Sequence, residues 1–229
     1  MPDDGHDLLE IPGALEGPHA PPRVLLGGEA PERARAAAVL CHGRGGRPED
    51  MQGLRRELNV PGVTFVAPGA AGSTWYPLPF IAPLEYNEPY LSSALALLGA
   101  VVAELERRGV PAERQLLLGF SQGGCLALEY AVRNARRYGA VAGLSAGLIG
   151  PSGTRWDFGG DLESTPVLLG CGDPDPHIPR DRLEETASVL GERGADVDLR
   201  VYSGLGHTVN RDELRAARAL LEGMAGPSG

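Results

Sequence analysis

The stretch QLLLGFSQGG, Gln115–Gly124, decides the fold. Its run of consecutive apolar residues up to Phe120 is typical of a strand that is buried on both faces. An amphipathic pattern begins at Gln122, so Ser121 lies on a turn that leads from a strand into a helix. Gly119–Gly123 matches G-x-S-x-G, in which small residues on both sides permit a sharp, strained turn around an exposed serine. The stretch therefore predicts a nucleophilic serine at the carboxyl end of a buried strand.

A second stretch, Gly143-Leu144-Ser145-Ala146-Gly147, fits the same pattern, which is a weak signal in a chain with 33 glycines. Ser145 also follows a predicted strand. However, Gly147, Gly150 and Pro151 prevent a helix from starting directly after it. A helix N-cap role for Ser121 is the simpler alternative, but it does not explain glycines on both sides. We therefore expect Ser121, and not Ser145, to be the nucleophile.

Short apolar runs alternate with helical patterns along the rest of the chain. The predicted strands are Arg23–Leu26, Ala36–Cys41, Val63–Ala67, Gln115–Phe120, Ala140–Leu144, Pro166–Cys171 and Val197–Tyr202. The predicted helices are Pro48–Leu58, Leu91–Arg108, Gln122–Arg137, Pro179–Arg193 and Arg211–Met224. This alternation predicts an α/β fold with a mostly parallel central sheet and helices on both faces. With 229 residues, we expect a poorly ordered acidic leader over residues 1–22 and a single domain over residues 23–229.

Composition excludes several classes of function. The net charge is −9, and without a basic stripe the chain is a poor partner for nucleic acid. No apolar run approaches the roughly 20 residues of a membrane span, so no membrane insertion is expected. All 21 basic residues are Arg, which excludes Schiff-base, pyridoxal-phosphate and Walker-type lysines. The three widely spaced cysteines predict neither a disulfide framework nor a zinc ribbon, and they favour a cytoplasmic location.

A nucleophilic serine needs a histidine as base and a carboxylate to orient that histidine. In this kind of sheet the order along the chain is serine, acid, histidine. Only His207 follows the last predicted strand, so we expect it to be the general base. The acid should follow strand Pro166–Cys171, where Asp173 and Asp175 both qualify and both precede a proline. The sequence geometry does not choose between them.

A glycine-rich loop, Cys41-His42-Gly43-Arg44-Gly45-Gly46, follows the second strand. Such a loop allows the backbone to approach a ligand closely. Its spacing is not that of a dinucleotide-binding loop, and no Lys is present to bind phosphate. Hydrolases with a serine turn of this kind place one oxyanion N–H here and another directly after the nucleophile. We therefore expect the backbone amides of Arg44 and Gln122 to form an oxyanion hole.

Together these motifs resemble the phospholipase/carboxylesterase family of α/β-hydrolases, which includes acyl-protein thioesterases. The resemblance rests on His42-Gly43-x-Gly45, Gly119–Gly124, Asp175-Pro176-x-Ile178-Pro179 and Gly206-His207. It implies Asp175 as the triad acid, supports Arg44 and Gln122 as oxyanion residues, and implies no metal or organic cofactor. Two stretches depart from the thioesterases: Arg44-Gly45-Gly46 stands where they commonly have Leu-Gly-Asp, and Ser73–Pro77 is closer to a bacterial esterase subgroup.

A long loop, residues 69–90, holds five of the twelve aromatic residues and follows a strand, so it is expected to form a wall of the substrate pocket. The candidate substrate-binding residues are His42, Trp75, Tyr76, Phe80 and His177. The short segment Gly147–Glu163 predicts no separate lid, and an open site suits small esters. The sequence thus predicts a serine carboxylesterase for short-chain acyl esters. An acyl thioesterase or lysophospholipase with the same triad, and a non-catalytic binding protein of the same shape, remain alternatives, and a homodimer stays open.

Overall fold

A computed structural model of the protein describes residues 7–226. Seven strands form one sheet in the order β1-β3-β2-β4-β5-β6-β7, in which β1 runs antiparallel to β3 and every other pair is parallel. This is the predicted, mostly parallel sheet of an α/β-hydrolase fold. The strands are β1 (Val24–Gly28), β2 (Ala36–Cys41), β3 (Val63–Pro68), β4 (Gln115–Phe120), β5 (Ala140–Leu144), β6 (Pro166–Gly172) and β7 (Asp196–Tyr202).

Five α-helices cover both faces of the sheet, because alternate residues of each central strand point to opposite sides. Helices α2, α3 and α4 pack over one apolar layer, and α1 and α5 pack over the other. Strand β2 is buried at every position, which explains its uninterrupted Ala-Ala-Ala-Val-Leu-Cys sequence. The helices are α1 (Met51–Leu58), α2 (Tyr90–Arg107), α3 (Gln122–Arg133), α4 (Arg180–Glu192) and α5 (Arg211–Ala225).

Helix α3 ends one turn earlier than predicted, at Arg133 instead of Arg137. The Asn134 side chain donates to the Tyr130 carbonyl, and the Tyr138 amide donates to the Thr165 hydroxyl. Tyr138 is itself fully buried. The chain therefore leaves the helix axis, buries the Tyr138 ring and enters β5. Helical periodicity in the sequence does not predict this tertiary contact.

Residues 7–22 of the predicted leader pack against the sheet, whereas residues 1–6 lie outside the described part. Leu8 forms an antiparallel bridge with Leu25, and Leu9 is buried in the main core. His19 is also buried, with its backbone amide bound to the Ser93 hydroxyl. Scattered Pro and Gly suggested disorder, but a few apolar anchors and one buried imidazole hold the segment against the sheet.

The carboxyl ends of the parallel strands lie at one edge of the sheet, where ligands of such folds bind. The loops after β2, β4, β6 and β7 meet at this edge and carry the predicted oxyanion loop, nucleophile, acid and base. No separate lid domain is present within residues 7–226. Over the same residues, no helix combines the length and apolar character needed to cross a bilayer.

Candidate active site

Ser121 occupies the strained turn that its sequence predicts. Its backbone has φ 54° and ψ −123°, a conformation that non-glycine residues rarely adopt. A Cβ on Gly119 would collide with the Gly123 backbone, and a Cβ on Gly123 would collide with the Cys41 and His42 carbonyls. Both glycines are therefore required by backbone-to-backbone contact. The turn leaves the Ser121 side chain half-buried at the start of α3.

The structure brings Ser121, His207 and Asp175 together in a continuous hydrogen-bonded line. His207 Nε2 lies 2.8 Å from Ser121 Oγ, and His207 Nδ1 lies 2.7 Å from Asp175 Oδ2. Both distances are within the range expected for a nucleophile, its base and the group that orients the base. The three residues come from loops separated by up to 86 positions in the sequence.

The Asp175 carboxylate is held in place by more than His207. Its Oδ1 accepts the backbone amides of His177 at 2.8 Å and Ile178 at 3.1 Å. Burial raises the pKa of this carboxyl, but hydrogen bonds from His207 and from the two amides outweigh burial and bring the pKa below its ordinary value. Asp175 is therefore ionised at neutral pH and able to orient the imidazole.

Asp173, the alternative acid, has a different place in the structure. Its Oδ1 accepts the backbone amide of Gly204 at 2.8 Å, which ties the loop after β6 to the loop after β7. The two loops also touch at Gly172, where a Cβ would collide with the Leu205 carbonyl. Asp173 thus helps to hold the His207 loop, while Asp175 is the carboxylate that contacts the imidazole.

The Gly43–Arg44 segment lies directly beside the serine turn. A Cβ on Gly43 would stand only 3.5 Å from Ser121 Cβ, so the loop after β2 approaches the nucleophile closely. Gln122 is the first residue of α3, and its backbone N–H therefore lacks an acceptor inside the helix. The backbone amides of Arg44, on the loop after β2, and of Gln122, at the start of α3, therefore belong to the two segments that adjoin Ser121.

A cavity of about 570 Å³ opens beside Ser121 and His207. Three of the predicted substrate-binding residues, Tyr76, Phe80 and His177, are on its wall. His177 also packs edge-on against His207, with 4.6 Å between ring centroids. The sequence did not single out the remaining apolar wall, because single Pro, Ile or aromatic residues carry no pattern; it consists of Pro77, Pro79, Phe120, Cys125 and Ile178.

The other two predicted substrate-binding residues, His42 and Trp75, do not reach the cavity, and this prediction is corrected. Both are 0% exposed. His42 Nε2 accepts the Ala70 amide at 3.1 Å, and its Nδ1 donates to the Gly43 carbonyl at 2.8 Å. Trp75 Nε1 donates to the His42 carbonyl at 2.8 Å. These side chains support the aromatic loop from below, so their position after a strand was a misleading signal.

The two expected oxyanion residues also hold the cavity wall through their side chains. The Arg44 guanidinium donates to the carbonyls of Tyr76, Pro77 and Leu78 over distances of 2.8–3.0 Å, and to the Thr74 hydroxyl. The side-chain amide of Gln122 donates through Nε2 to the Tyr76 carbonyl at 2.7 Å, and its Oε1 accepts the backbone amide of Trp75 at 2.9 Å. We call residues 74–78 the clamped segment. Its position is therefore fixed by the residues that flank the nucleophile.

His19 is a functional neighbour that sequence reasoning missed. Its Nδ1 accepts the Ala71 amide and its Nε2 donates to the Trp75 carbonyl, both at 3.0 Å. Burial lowers the pKa of His19, and burial likewise lowers that of His42, so both rings are neutral and each acts as donor and acceptor. A histidine within a Pro- and Gly-rich leader gives no sequence signal for this role.

Comparison with known proteins supports the same assignment of fold and family. The family model described as Phospholipase/Carboxylesterase matches residues 28–224. Acyl-protein thioesterase 1 from Gibberella zeae is 34% identical over 122 residues, which are 52% of this chain and 52% of that protein. The match thus spans about half the length of this curated relative.

Solved structures extend the similarity over most of the chain. The phospholipase/carboxylesterase from Dyadobacter fermentans is 42% identical, with a TM-score of 0.83, and the match covers 86% of this chain and 95% of that one. Esterase PE8 is 27% identical, with a TM-score of 0.73 and coverage of 87% and 97%. Since the family model spans strands β2 to β7 and every loop of the site, the chain belongs to the phospholipase/carboxylesterase family of α/β-hydrolases.

Proposed function

We propose that the protein is a serine carboxylesterase that hydrolyses short-chain acyl esters through Ser121, His207 and Asp175. The observation that carries the proposal is the hydrogen-bonded line from Ser121 Oγ through His207 to Asp175 Oδ2, at 2.8 and 2.7 Å. It lies at the wall of a cavity that adjoins two backbone amides suited to an oxyanion. Membership in a family with esterase and thioesterase relatives supports a hydrolase.

In the acylation step, His207 Nε2 removes the proton from Ser121 as its Oγ attacks the ester carbonyl carbon. Asp175 holds the imidazole by Nδ1 and stabilises the imidazolium that forms. The backbone amides of Arg44 and Gln122 donate to the oxyanion, and each is worth about 3 kcal/mol in the transition state. The imidazolium then gives its proton to the leaving alkoxide, which departs as the alcohol and leaves an acyl-enzyme.

In the second step, a water molecule takes the place of the alcohol. His207 removes a proton from this water, which attacks the acyl carbonyl, and the same two amides stabilise the second oxyanion. Collapse of this intermediate releases the carboxylic acid and returns the proton to Ser121. The cycle consumes one water molecule for each ester and returns Ser121, His207 and Asp175 to their starting states.

The cavity wall supports an acyl group of limited length. Its apolar side chains, Tyr76, Phe80 and Cys125, suit a hydrocarbon chain, and the clamped segment bounds the cavity. The Arg44 guanidinium and the Gln122 side-chain amide hold that segment by several hydrogen bonds, so the wall resists displacement by a longer acyl chain. Small esters therefore fit the site better than long-chain lipids do.

A thioesterase is the second candidate, because a relative with 34% identity is named acyl-protein thioesterase 1. The two candidates are separated by a series of p-nitrophenyl esters and matched thioesters with acyl chains from two to sixteen carbons. The proposal predicts that kcat/KM is highest for short acyl chains and is higher for the ester than for the thioester of equal length. A preference for long-chain thioesters would instead favour the thioesterase, and a preference for lysophospholipids would favour a lysophospholipase.

A further inference from the structure

The thiol of Cys171 lies next to the carboxylate of Asp175. Cys171 is the penultimate residue of β6, directly before the loop that carries Asp175, and it is 1% exposed. Its Sγ is 3.5 Å from Asp175 Oδ2 and 4.0 Å from the Ile178 carbonyl oxygen. The carboxylate oxygen is thus both the nearer and the more negatively charged acceptor for the S–H group.

The surroundings of Asp175 make this contact consequential. Its side chain is 0% exposed, so water does not reach the carboxylate. Oδ1 accepts two backbone amides, whereas Oδ2 has only His207 Nδ1 and the Cys171 thiol as partners in the part of the chain that the structure describes. Removal of the thiol would leave His207 Nδ1 as the one donor to Oδ2 among the described residues, in a site that water does not reach.

The thiol is in the protonated form that can donate. Burial, followed by the Asp175 carboxylate, raises the pKa of Cys171 to about 12, against the lowering effect of the nearby Ser145 hydroxyl. Glu213, a second carboxyl near the thiol, acts in the same direction as Asp175, and burial raises the pKa of Glu213 itself. His207 and the adjacent His177 are the titratable groups on the other side of Asp175.

We propose that Cys171 is a positioning residue of the active site, whose S–H group donates to Asp175 Oδ2 and shares that oxygen with His207. The inference rests on the proposed function, because it assigns the thiol a role in setting the basicity of the catalytic imidazole. Because Oδ2 accepts the S–H group, less of its negative charge is available to the hydrogen bond with His207 Nδ1. The thiol also keeps the carboxylate from rotating about its side-chain bond.

The hydrogen bond itself is tested by infrared spectroscopy of the S–H stretch, a vibration that absorbs apart from other protein groups. The Cys171 band is assigned as the signal lost in Cys171→Ser. We expect it at the lower frequency of a donating thiol, and we expect it to move to higher frequency in Asp175→Asn, where the charged acceptor becomes a neutral amide. A band at the position of a free thiol, or one that Asp175→Asn leaves unmoved, would overturn the proposal. This measurement requires no enzymatic activity, so it is independent of the proposed function.

The consequence for the base is tested by pH profiles of kcat and kcat/KM for Cys171→Ala and Cys171→Ser. Loss of the donor strengthens the attraction of Asp175 for the imidazolium, so in Cys171→Ala the acid limb moves to higher pH by about half a pH unit. In the same variant kcat falls about tenfold, because the carboxylate that orients the imidazole loses one of its own hydrogen-bond donors. Cys171→Ser, which restores a donor, returns the acid limb towards that of the unchanged protein.

Cys41→Ala is the matched control, because Cys41 is an equally buried thiol, 1% exposed, at the end of β2, and within residues 7–226 no hydrogen bond joins its thiol to the triad. We expect it to leave the acid limb unmoved. A merely space-filling Cys171 would instead give equal effects for Ala and Ser on stability and no shift of the acid limb in either variant. That result would overturn the proposal while ester hydrolysis by the unchanged protein continued to support the proposed function.

Discussion

Ser121 and Ser145 lie in turns that directly follow two neighbouring strands, β4 and β5, and both turns share the pattern G-x-S-x-G. Both have positive φ, 54° and 46°, and the amide of each continues the sheet by bonding to the next strand, at Leu144 and Gly170 respectively. Their side chains differ in what surrounds them. Ser121 faces a cavity and contacts His207, whereas Ser145 is 0% exposed and its Oγ has no hydrogen bond of ordinary geometry within residues 7–226.

This difference shows that a strained turn is not by itself a catalytic site. A serine with positive φ directly after a parallel strand is a feature of the backbone, and residues 7–226 contain two of them. The proposed nucleophile, Ser121, is distinguished by a helix that begins directly after it, a histidine within hydrogen-bonding distance and access to a cavity. Strain alone is therefore not evidence of function, and substitutions at the two turns are expected to have very different effects.

The largest expected effect is on hydrolysis in Ser121→Ala. Removal of the nucleophile lowers kcat for p-nitrophenyl acetate or butyrate by about a millionfold, since the triad acts as a unit. Ser145→Ala is the matched control at the second turn, and we expect its kcat to stay within about tenfold of the unchanged protein. Retained hydrolysis in Ser121→Ala would contradict the assignment of the nucleophile.

A second effect separates the two candidate acids. Asp175→Asn retains the shape of the side chain but no longer holds the imidazole in the correct tautomer, so kcat falls by about 10⁴-fold. Asp173→Asn keeps the oxygen that accepts the Gly204 amide, and it should therefore retain most of the activity. Steady-state kinetics of both variants provide the test, and a greater loss in Asp173→Asn would exclude Asp175 as the acid.

The glycines of the two turns differ in their tolerance of a side chain. In Gly123→Ala the new methyl group meets the carbonyls of the loop after β2, so we expect a loss of unfolding free energy of about 3 kcal/mol or more. In Gly147→Ala the nearest atoms are side-chain atoms of Thr186 and Phe80, at 3.1 and 3.2 Å, which yield more easily. Urea unfolding of the two variants measures the difference, and equal losses would contradict this account.

The cavity beside Ser121 depends on the clamped segment, which has no counterpart at Ser145. In Arg44→Leu the backbone amide of the oxyanion hole remains, but the hydrogen bonds from the guanidinium to three carbonyls are lost. We expect the ratio of kcat/KM for eight-carbon to four-carbon acyl esters to rise about tenfold, through about 1.4 kcal/mol of relative transition-state stabilisation. An unchanged ratio with a uniformly lower kcat would show that Arg44 does not control chain length.

The smallest effect concerns the pH dependence of stability. Because burial holds the pKa of His19 below its ordinary value, the unfolded chain takes up a proton that the folded protein does not. Folding stability is therefore expected to fall as the pH drops from 7 to 5, through the ordinary histidine pKa of about 6.5. His19→Gln removes this titrating group and should make the decline shallower, as measured by thermal unfolding at each pH. A steeper or equal decline would contradict the neutral, buried state of His19.

Much of the fold was predictable because local pattern and tertiary environment agree in the central strands. Strands β2, β4 and β5 have the predicted bounds, since apolar runs such as Ala36–Cys41 are buried on both faces. The end of α3 and the anchoring of the leader were not predictable. Both depend on contacts between distant residues, namely Tyr138 with Thr165 and His19 with Trp75.

The candidate site shows the same division. Position after strands whose carboxyl ends meet at one edge of the sheet predicted Ser121 and His207 as neighbours. It left Asp173 and Asp175 as equal candidates for the acid, and only the resemblance to the family favoured Asp175. Position after a strand did not reveal which way a side chain points, so His42 and Trp75 were assigned to the pocket although they lie beneath it. The hydrogen bonds from Arg44 to the clamped segment could not be predicted from the sequence either, because most of their acceptors are backbone carbonyl groups and not side chains.

We propose that Ser121, and not Ser145, is a nucleophile activated by His207. Labelling of the protein with a fluorophosphonate, with the modified residue mapped by mass spectrometry of its peptides, tests this directly. We expect one label per chain, on Ser121, and a rate of labelling that collapses in His207→Ala. Absence of labelling, a label on Ser145, or equally fast labelling in His207→Ala would contradict it.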